Sequence, residues 1–420
     1  MSGDRDVLPH NGSAGLLRQL LKSPHAPTAA FLLFGVLAVV LAFGGEVASH
    51  RTWALAAAPG YLLAALVHVA PAGRRWSAYL ALVGSTVVPA IAIAISGQRQ
   101  EEVTVIERSA DVLLATGTPY GRDPVEILDF NPYLPGMSVF GLPHAAGLPG
   151  LASDPRAWLA AVFVVAVAAT VRRAGERLGG VDSGTAWRLS MVLSCPLIAL
   201  SICVSGVDLP VVGLALVAVV AAGQGRTGVA NLALLAAITL KWTAWPAAAV
   251  TAAALTVSRG ARTAVVATTA VILTAGLLIA SIAAVEPRAF LQNAVLFPFG
   301  LSSTTSPAAS PLPGRLLASH VPGGTWIALT LLGVAAAVVV GSLVIRPPSG
   351  SVAAADRLAA GLLAAILLSP ASRWGFLVYP FVLLTVPRLI TDYLPTRDRH
   401  PAGRPGLNAK SGQCGEHRTG

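Results

Sequence analysis

Three glutamates, Glu101, Glu102 and Glu107, follow directly on an apolar run and open a long polar stretch from Gln98 to Arg156. A carboxylate at the edge of a low-dielectric layer is held back from ionising freely, and its pKa rises toward the range useful for a general base. The stretch carries eight acidic residues against four arginines, so it is an acidic, water-exposed segment in an otherwise apolar chain. From Glu102 to Leu114 the apolar positions Val103, Val105, Ile106, Ala110, Leu113 and Leu114 suit a helix lying along a membrane surface, stopped by Gly117 and Pro119. The alternative reading of the glutamates is a set of solvated interface charges.

Three cations could partner an anion. Lys241 is one of three lysines and the only one inside apolar sequence, flanked by Leu240 and Trp242 and followed by Trp245 and Pro246. An ammonium there requires a counter-charge or an aqueous cavity, and a lipid phosphate fits. A lysine that snorkels to the interface beside its tryptophans is the competing reading. Arg373 occupies a tight turn, Ser-Pro-Ala-Ser-Arg-Trp-Gly-Phe (369–376), and Arg315 lies in a proline-rich segment. Either could bind an anionic headgroup or stand as an exposed turn arginine. Asp208, in Asp-Leu-Pro at the head of an apolar run, reads as a helix cap. His144 and His320 are isolated and show no metal-ligand spacing.

The elements that must position these residues are membrane helices. Of the 420 residues, 55% are hydrophobic and only 11% charged, and the mean hydropathy is +0.70. Continuous apolar runs exclude an alternating transmembrane barrel. Twelve segments are expected to span the bilayer, at 29–45, 53–70, 78–96, 157–171, 187–204, 209–223, 228–241, 244–257, 263–285, 325–345, 353–369 and 374–388. The seventh and eighth could also form one long helix broken near Pro246. The apolar domain is thus 29–388, with polar, disordered tails expected at 1–28 and 389–420 and no cleavable leader.

Charge sets the expected orientation. With both tails cytoplasmic, 20 of the 29 Lys and Arg and 8 of the 19 acids fall inside, leaving +12 inside and −2 outside. The net charge of +10 is therefore topological, and a nucleic-acid partner is not expected. Two long loops face outward, 97–156 and 286–324. Cys195 and Cys203 are roughly 12 Å apart along a helix, too far to bond to each other. No P-loop, dinucleotide fingerprint or nucleophile elbow is present, so substrates are expected to arrive on lipids.

The run from Glu102 through Leu113–Leu114, Gly117 and Pro119–Tyr120, followed by Asn131-Pro-Tyr-Leu-Pro-Gly136, resembles the first outer loop of integral-membrane GT-C glycosyltransferases. The nearest resemblance is to glycosyltransferase family 87, the polyprenyl-phosphate-mannose-dependent mannosyltransferases of actinobacteria. Leu-Lys-Trp-Thr-Ala-Trp-Pro (240–246) is similar to a lysine-bearing stretch of that group, and residues 369–380 look like its final outer turn. Asn-Pro-Tyr-Leu-Pro stands where the family more often has Tyr-Pro-Pro, and two spans precede the one leading into the loop, where the GT-C core usually starts.

The resemblance implies a GT-C-like bundle in the plasma membrane with its site on the outer face. It implies an inverting transfer of a hexose, mannose above all, from a polyprenyl-phosphate donor to a glycolipid or cell-wall glycan. Glu102 would be the base, with Glu101 and Glu107 as rivals, and Lys241, Arg373 and Arg315 would hold the donor phosphate. Tyr120, Asn131, Tyr133, Trp242 and Trp245 would line the substrate loops. No metal or other cofactor is implied. The rival class is a secondary transporter or lipid flippase, for which twelve spans is a common count; a structural membrane subunit is a third.

Overall fold

A computed structural model describes residues 23–177, 182–302, 304 and 307–391; most of both expected tails lies outside the described residues. These residues are helical, and the one β-type pairing among them is an isolated bridge between Ala309 and Ser372. The helices are α1 Ala26–Gly44, α2 Ala48–Val69, α3 Arg74–Ser96, α4 Glu101–Thr116, α5 Pro155–Arg177, α6 Ser183–Leu193, α7 Pro196–Val204 and α8 Leu209–Gly223. They continue as α9 Thr227–Leu240, α10 Pro246–Arg259, α11 Ala261–Ala283, α12 Pro313–His320, α13 Gly324–Ile345, α14 Ser351–Leu368 and α15 Val378–Thr391.

Among the described residues, seven helices are long and apolar enough to cross a membrane: α1, α2, α3, the first 19 residues of α5, α11, α13 and α14. The pair α6–α7, bent by 67°, raises this to eight if it forms one span. The expected twelve spans are thus not confirmed. The remaining apolar stretches are helical but short: α8 has 15 residues and α9 and α10 have 14 each. At 1.5 Å per residue such helices reach only about 21–23 Å, against a hydrocarbon core of about 30 Å. For α8 the apolarity has a different cause. All but three of the 15 residues of α8 are buried, so it is enclosed by protein on every side, whereas α13 buries only Gly324, Ala328 and Leu343 of its 22.

Around α8 the packed neighbours are α5, α9, α10, α14 and α15. A second, smaller core joins α1, α2 and α3 to α7 through Trp53, Tyr61 and Cys203; the Tyr61 hydroxyl donates to the Ser194 carbonyl at 2.5 Å. The bundle has two chemically distinct ends. At one, the α8–α9 turn meets the α10–α11 turn, Arg259 Nε donating to the Gly225 carbonyl at 2.5 Å, and Ser351 at the start of α14 donates to Val220 O at 3.0 Å. Arg226, Arg259 and Arg262 gather near this end. At the other end lie α4, the α9–α10 turn and the turn before α15.

The helix α4 follows the expected pattern and begins at Glu101. Two carboxylates in its first turn suit the positive end of the helix dipole, and Gly117, at φ +80°, supplies the left-handed stop. Its buried face, which includes Val103, Ile106 and Ala110, packs on the 3₁₀ turn Pro135–Gly141. The contact is backbone-close: a Cβ on Gly141 would sit 2.3 Å from the Ile106 carbonyl oxygen and 2.8 Å from Ala110 Cβ. Gly141→Ala is therefore expected to push α4 outward and cost about 1–3 kcal/mol of stability. A melting temperature equal to wild type in detergent would show that α4 is not held by this approach.

Candidate functional site

A cavity of about 410 Å³ opens at the second end of the bundle. Its walls are mostly apolar, and its polar groups come from six separate segments: α4, the first loop at Tyr133, the start of α8, the α9–α10 turn, the turn before α15 and α15 itself. Glu101, Glu102, Asp208, Lys241 and Arg373 all line it. Two of the three candidate glutamates and two of the three expected cations therefore share one space.

Two ion pairs organise it. The Arg373 guanidinium donates to the Glu102 carboxylate. Lys241 Nζ donates to Asp208 Oδ1 at 2.6 Å, and the Tyr379 hydroxyl donates to the same oxygen at 2.6 Å. The Thr243 and Tyr379 hydroxyls are 2.8 Å apart, so Tyr379, having given its proton to Asp208, accepts from Thr243. The Lys241 ammonium also lies 4.9 Å from the Phe376 ring centroid and 5.7 Å from that of Tyr133, a cation–π arrangement on two sides. Side-chain exposures of 14% for Lys241 and 15% for Asp208 make this pair largely desolvated.

Local chain geometry puts each group there. Helix α9 ends at Leu240, and Lys241 is fully extended (φ −158°, ψ 147°) before the 3₁₀ turn Trp242–Ala244 and Pro246 at the head of α10. So the chain forms a hairpin of two short helices with Lys241 at its tip, and the alternative of one long broken helix is not what forms. Asp208 stands in the capping position of α8 but makes no cap hydrogen bond; its carboxylate is turned to Lys241 and Tyr379 instead. The Arg373 turn is clamped by the second long loop, with Ser310 N–H donating to Ser372 O at 3.0 Å and Trp374 N–H to Ser310 Oγ at 3.1 Å.

Tyr133 borders the cavity from the first loop. Burial pushes its phenol well above the ordinary range, with Glu102 and Asp208 adding to the rise and Arg373 opposing it, so the ring stays neutral. Its seat is built by residues that do not reach the cavity. Tyr120 donates to Tyr133 O at 2.9 Å, and Asn131 Oδ1 accepts from Tyr133 N–H at 3.2 Å. Asn131 Nδ2 donates to Pro119 O at 3.1 Å, and its own N–H donates to Asn293 Oδ1 at 2.8 Å. Tyr120 and Asn131 thus shape the loop rather than line the cavity. The Leu134 N–H then straps the loop to the end of α9 through Leu240 O at 3.0 Å.

Of the tryptophans, Trp242 lines the cavity with its indole N–H on Ala294 O at 2.6 Å. Trp245 does not; its indole donates to Ile238 O at 3.1 Å. Besides Tyr120, Asn131 and Trp245, two more expected site residues lie off the cavity. Arg315 is in α12 and is not among the lining residues. Glu107 is buried on another face of α4, accepting from Arg99 at 2.7 and 2.8 Å, with His144 Nδ1 3.6 Å away. Asp208, Tyr379, Thr243 and Asn293 were not expected at the site. Among the described residues no three His, Cys, Asp or Glu side chains gather closely enough to hold a metal ion.

The chain matches no family model, no curated protein and no solved structure. What the cavity can do is therefore read from its own groups: a carboxylate able to accept a proton, two fixed cations able to hold an anion, and an apolar wall able to take a hydrocarbon. Glu107→Gln should lower stability by about 1 kcal/mol, since the pair it breaks is half open to solvent on the Arg99 side, and leave the cavity's ligand affinity unchanged. Thermal denaturation read beside ligand titration checks this, and an affinity loss would place Glu107 in the cavity's circuit after all.

Proposed function

We propose that the chain is an integral-membrane glycosyltransferase of GT-C type that moves a hexose, mannose by resemblance, from a polyprenyl-phosphate carrier to a hydroxyl of a glycolipid or cell-wall glycan. The observation that carries this reading is the amphiphilic character of the cavity. Its polar end holds Glu102, Arg373 and Lys241, while its wall includes Leu329 and Leu332 of α13 and Leu362 and Ile366 of α14. Because α13 is the least buried candidate span, a ligand with an anionic head and an isoprenoid tail has a path from lipid into the cavity. The excess of basic residues assigned to the opposite end supports an outward-facing cavity in the plasma membrane.

In this reaction Glu102 takes the proton of the acceptor hydroxyl. The freed oxygen attacks the anomeric carbon from the face opposite the phosphate, and the bond from that carbon to the phosphate oxygen breaks, its electron pair leaving with polyprenyl phosphate. Configuration inverts. Arg373 and Lys241 hold the phosphate and stabilise the charge that grows on the leaving oxygen. Glu101, at the exposed rim of the same cavity, is the alternative base.

Membranes containing the protein are supplied with labelled polyprenyl-phosphate-mannose and an extract of envelope glycolipids. Wild type is expected to transfer label, and Glu102→Gln to lose about 10²–10⁴-fold in rate. Equal rates for Glu102→Gln and wild type would move the base to Glu101. Failure of wild type with every lipid-phosphate sugar offered would remove the glycosyltransferase reading.

A further inference from the structure

The cavity has a charge problem as an anion site. Its lining carries three carboxylates, Glu101, Glu102 and Asp208, against two cations, Lys241 and Arg373, and each cation is already bound to a carboxylate. A phosphate entering this space meets a formal charge of −1 and no free cation on the wall. Such a site does not bind its ligand by simple addition, because two of its carboxylates already occupy both cations and the third, Glu101, adds a further negative charge.

We propose that the ligand binds by ion-pair exchange: Asp208 and Glu102 are internal counter-ions, and a phosphate takes Lys241 and Arg373 from them. This rests on the reading that a lipid phosphate is the ligand, and it assigns Asp208 a role the reaction chemistry does not. Asp208 is a positioning residue. With Tyr379 and Thr243 it fixes the ammonium at the hairpin tip while the cavity is empty, and it sets the affinity threshold that an incoming anion must exceed. A neutral lipid or an isoprenoid alcohol gains nothing from the exchange and leaves both pairs closed, which gives the site selectivity for a phosphate-bearing carrier.

The geometry favours exchange over permanent pairing on two counts. Lys241 keeps cation–π support from Phe376 and Tyr133 whichever anion it faces, so swapping one oxygen for another does not strand it. Beside Arg373, the Ser372 hydroxyl is buried and has no hydrogen-bond partner, although Ser372 borders the cavity. A shift of this side chain into the cavity would let the hydroxyl donate to a phosphate oxygen that Arg373 also binds. Exchange also has a geometric consequence: when the carrier takes Arg373, the Glu102 carboxylate oxygen that accepted from the guanidinium is left open to an acceptor hydroxyl.

The test is equilibrium binding to the full-length protein in nanodiscs, read by the fluorescence of tryptophan, Trp242 being in the cavity wall. The probes are farnesyl phosphate, farnesol and inorganic phosphate. Asp208→Asn and, independently, Glu102→Gln are expected to bind farnesyl phosphate about tenfold more tightly than wild type, since each removes a competing charge near the ligand. Asp208→Glu should return to the wild-type value, and farnesol should not distinguish the variants. If Asp208→Asn does not fold, Glu102→Gln reads the same exchange at the other pair. Unchanged or weaker binding in the charge-removal variants overturns the exchange while leaving a lipid-phosphate ligand standing. Absence of farnesyl phosphate binding in wild type and variants overturns both. Inorganic phosphate binding as tightly as farnesyl phosphate, with both variants tightened, supports exchange and removes the lipid.

Discussion

An ammonium group set among apolar helices must find a counter-charge, and the arrangement of this site follows from how Lys241 finds one. Its partner, Asp208, is 33 residues earlier in the chain, and Tyr379, which shares the carboxylate, is 171 residues beyond Asp208. Satisfying one ion therefore ties the head of α8, the α9–α10 hairpin and α15 into a single junction. Removing either partner alone from a pair this desolvated leaves a buried charge uncompensated, at a cost of about 3–5 kcal/mol. That cost selects against any packing in which the three segments separate. The first loop joins the same junction when Tyr133 covers the ammonium and Leu134 bonds to the end of α9.

The junction needs a rigid floor, and α8 provides it. A helix enclosed by protein on all sides has no call on lipid, so it can be shorter than the bilayer is thick. Asp208, just before its first residue, lines the cavity. The longer helices α13 and α14, apolar enough to cross a membrane, close the cavity's flank with leucine and isoleucine.

The sequence exposed some of this and concealed the rest, for identifiable reasons. Lys241 stood out because a lone lysine in an apolar run is costly wherever it is placed. Glu102 and Arg373 stood out because polar loops between apolar runs have few other places for chemistry, and all three line one cavity. Asp208 was hidden by its setting: an aspartate just before a Leu-Pro helix start carries the ordinary signature of a cap, and nothing local indicates that its carboxylate turns away. The discarded Glu107 was more legible. Five residues beyond Glu102 on a helix is a rotation of about 140°, which separates the two faces before any coordinates are seen. Arg315 had no such signal, since its loop has no periodicity to follow. The twelve spans are unconfirmed where hydropathy cannot decide, because a run of Val, Ala and Leu reads the same whether lipid or protein surrounds it.

The two ion pairs differ in exposure, and the difference bears on the order of events in the proposed reaction. The Arg373 side chain is 34% exposed, against 14% for Lys241. A carrier phosphate arriving along the apolar flank meets cations in two environments, one open to water and one largely dry. Charge stabilisation is stronger where water is excluded, so Lys241 suits the oxygen that gains charge as the sugar departs. The carboxylates are alike in burial, 16% exposed for Glu102 and 15% for Asp208, so the opening to water lies on the Arg373 side. In the proposed reaction the acceptor would enter past Arg373 and meet the carrier at the anomeric carbon.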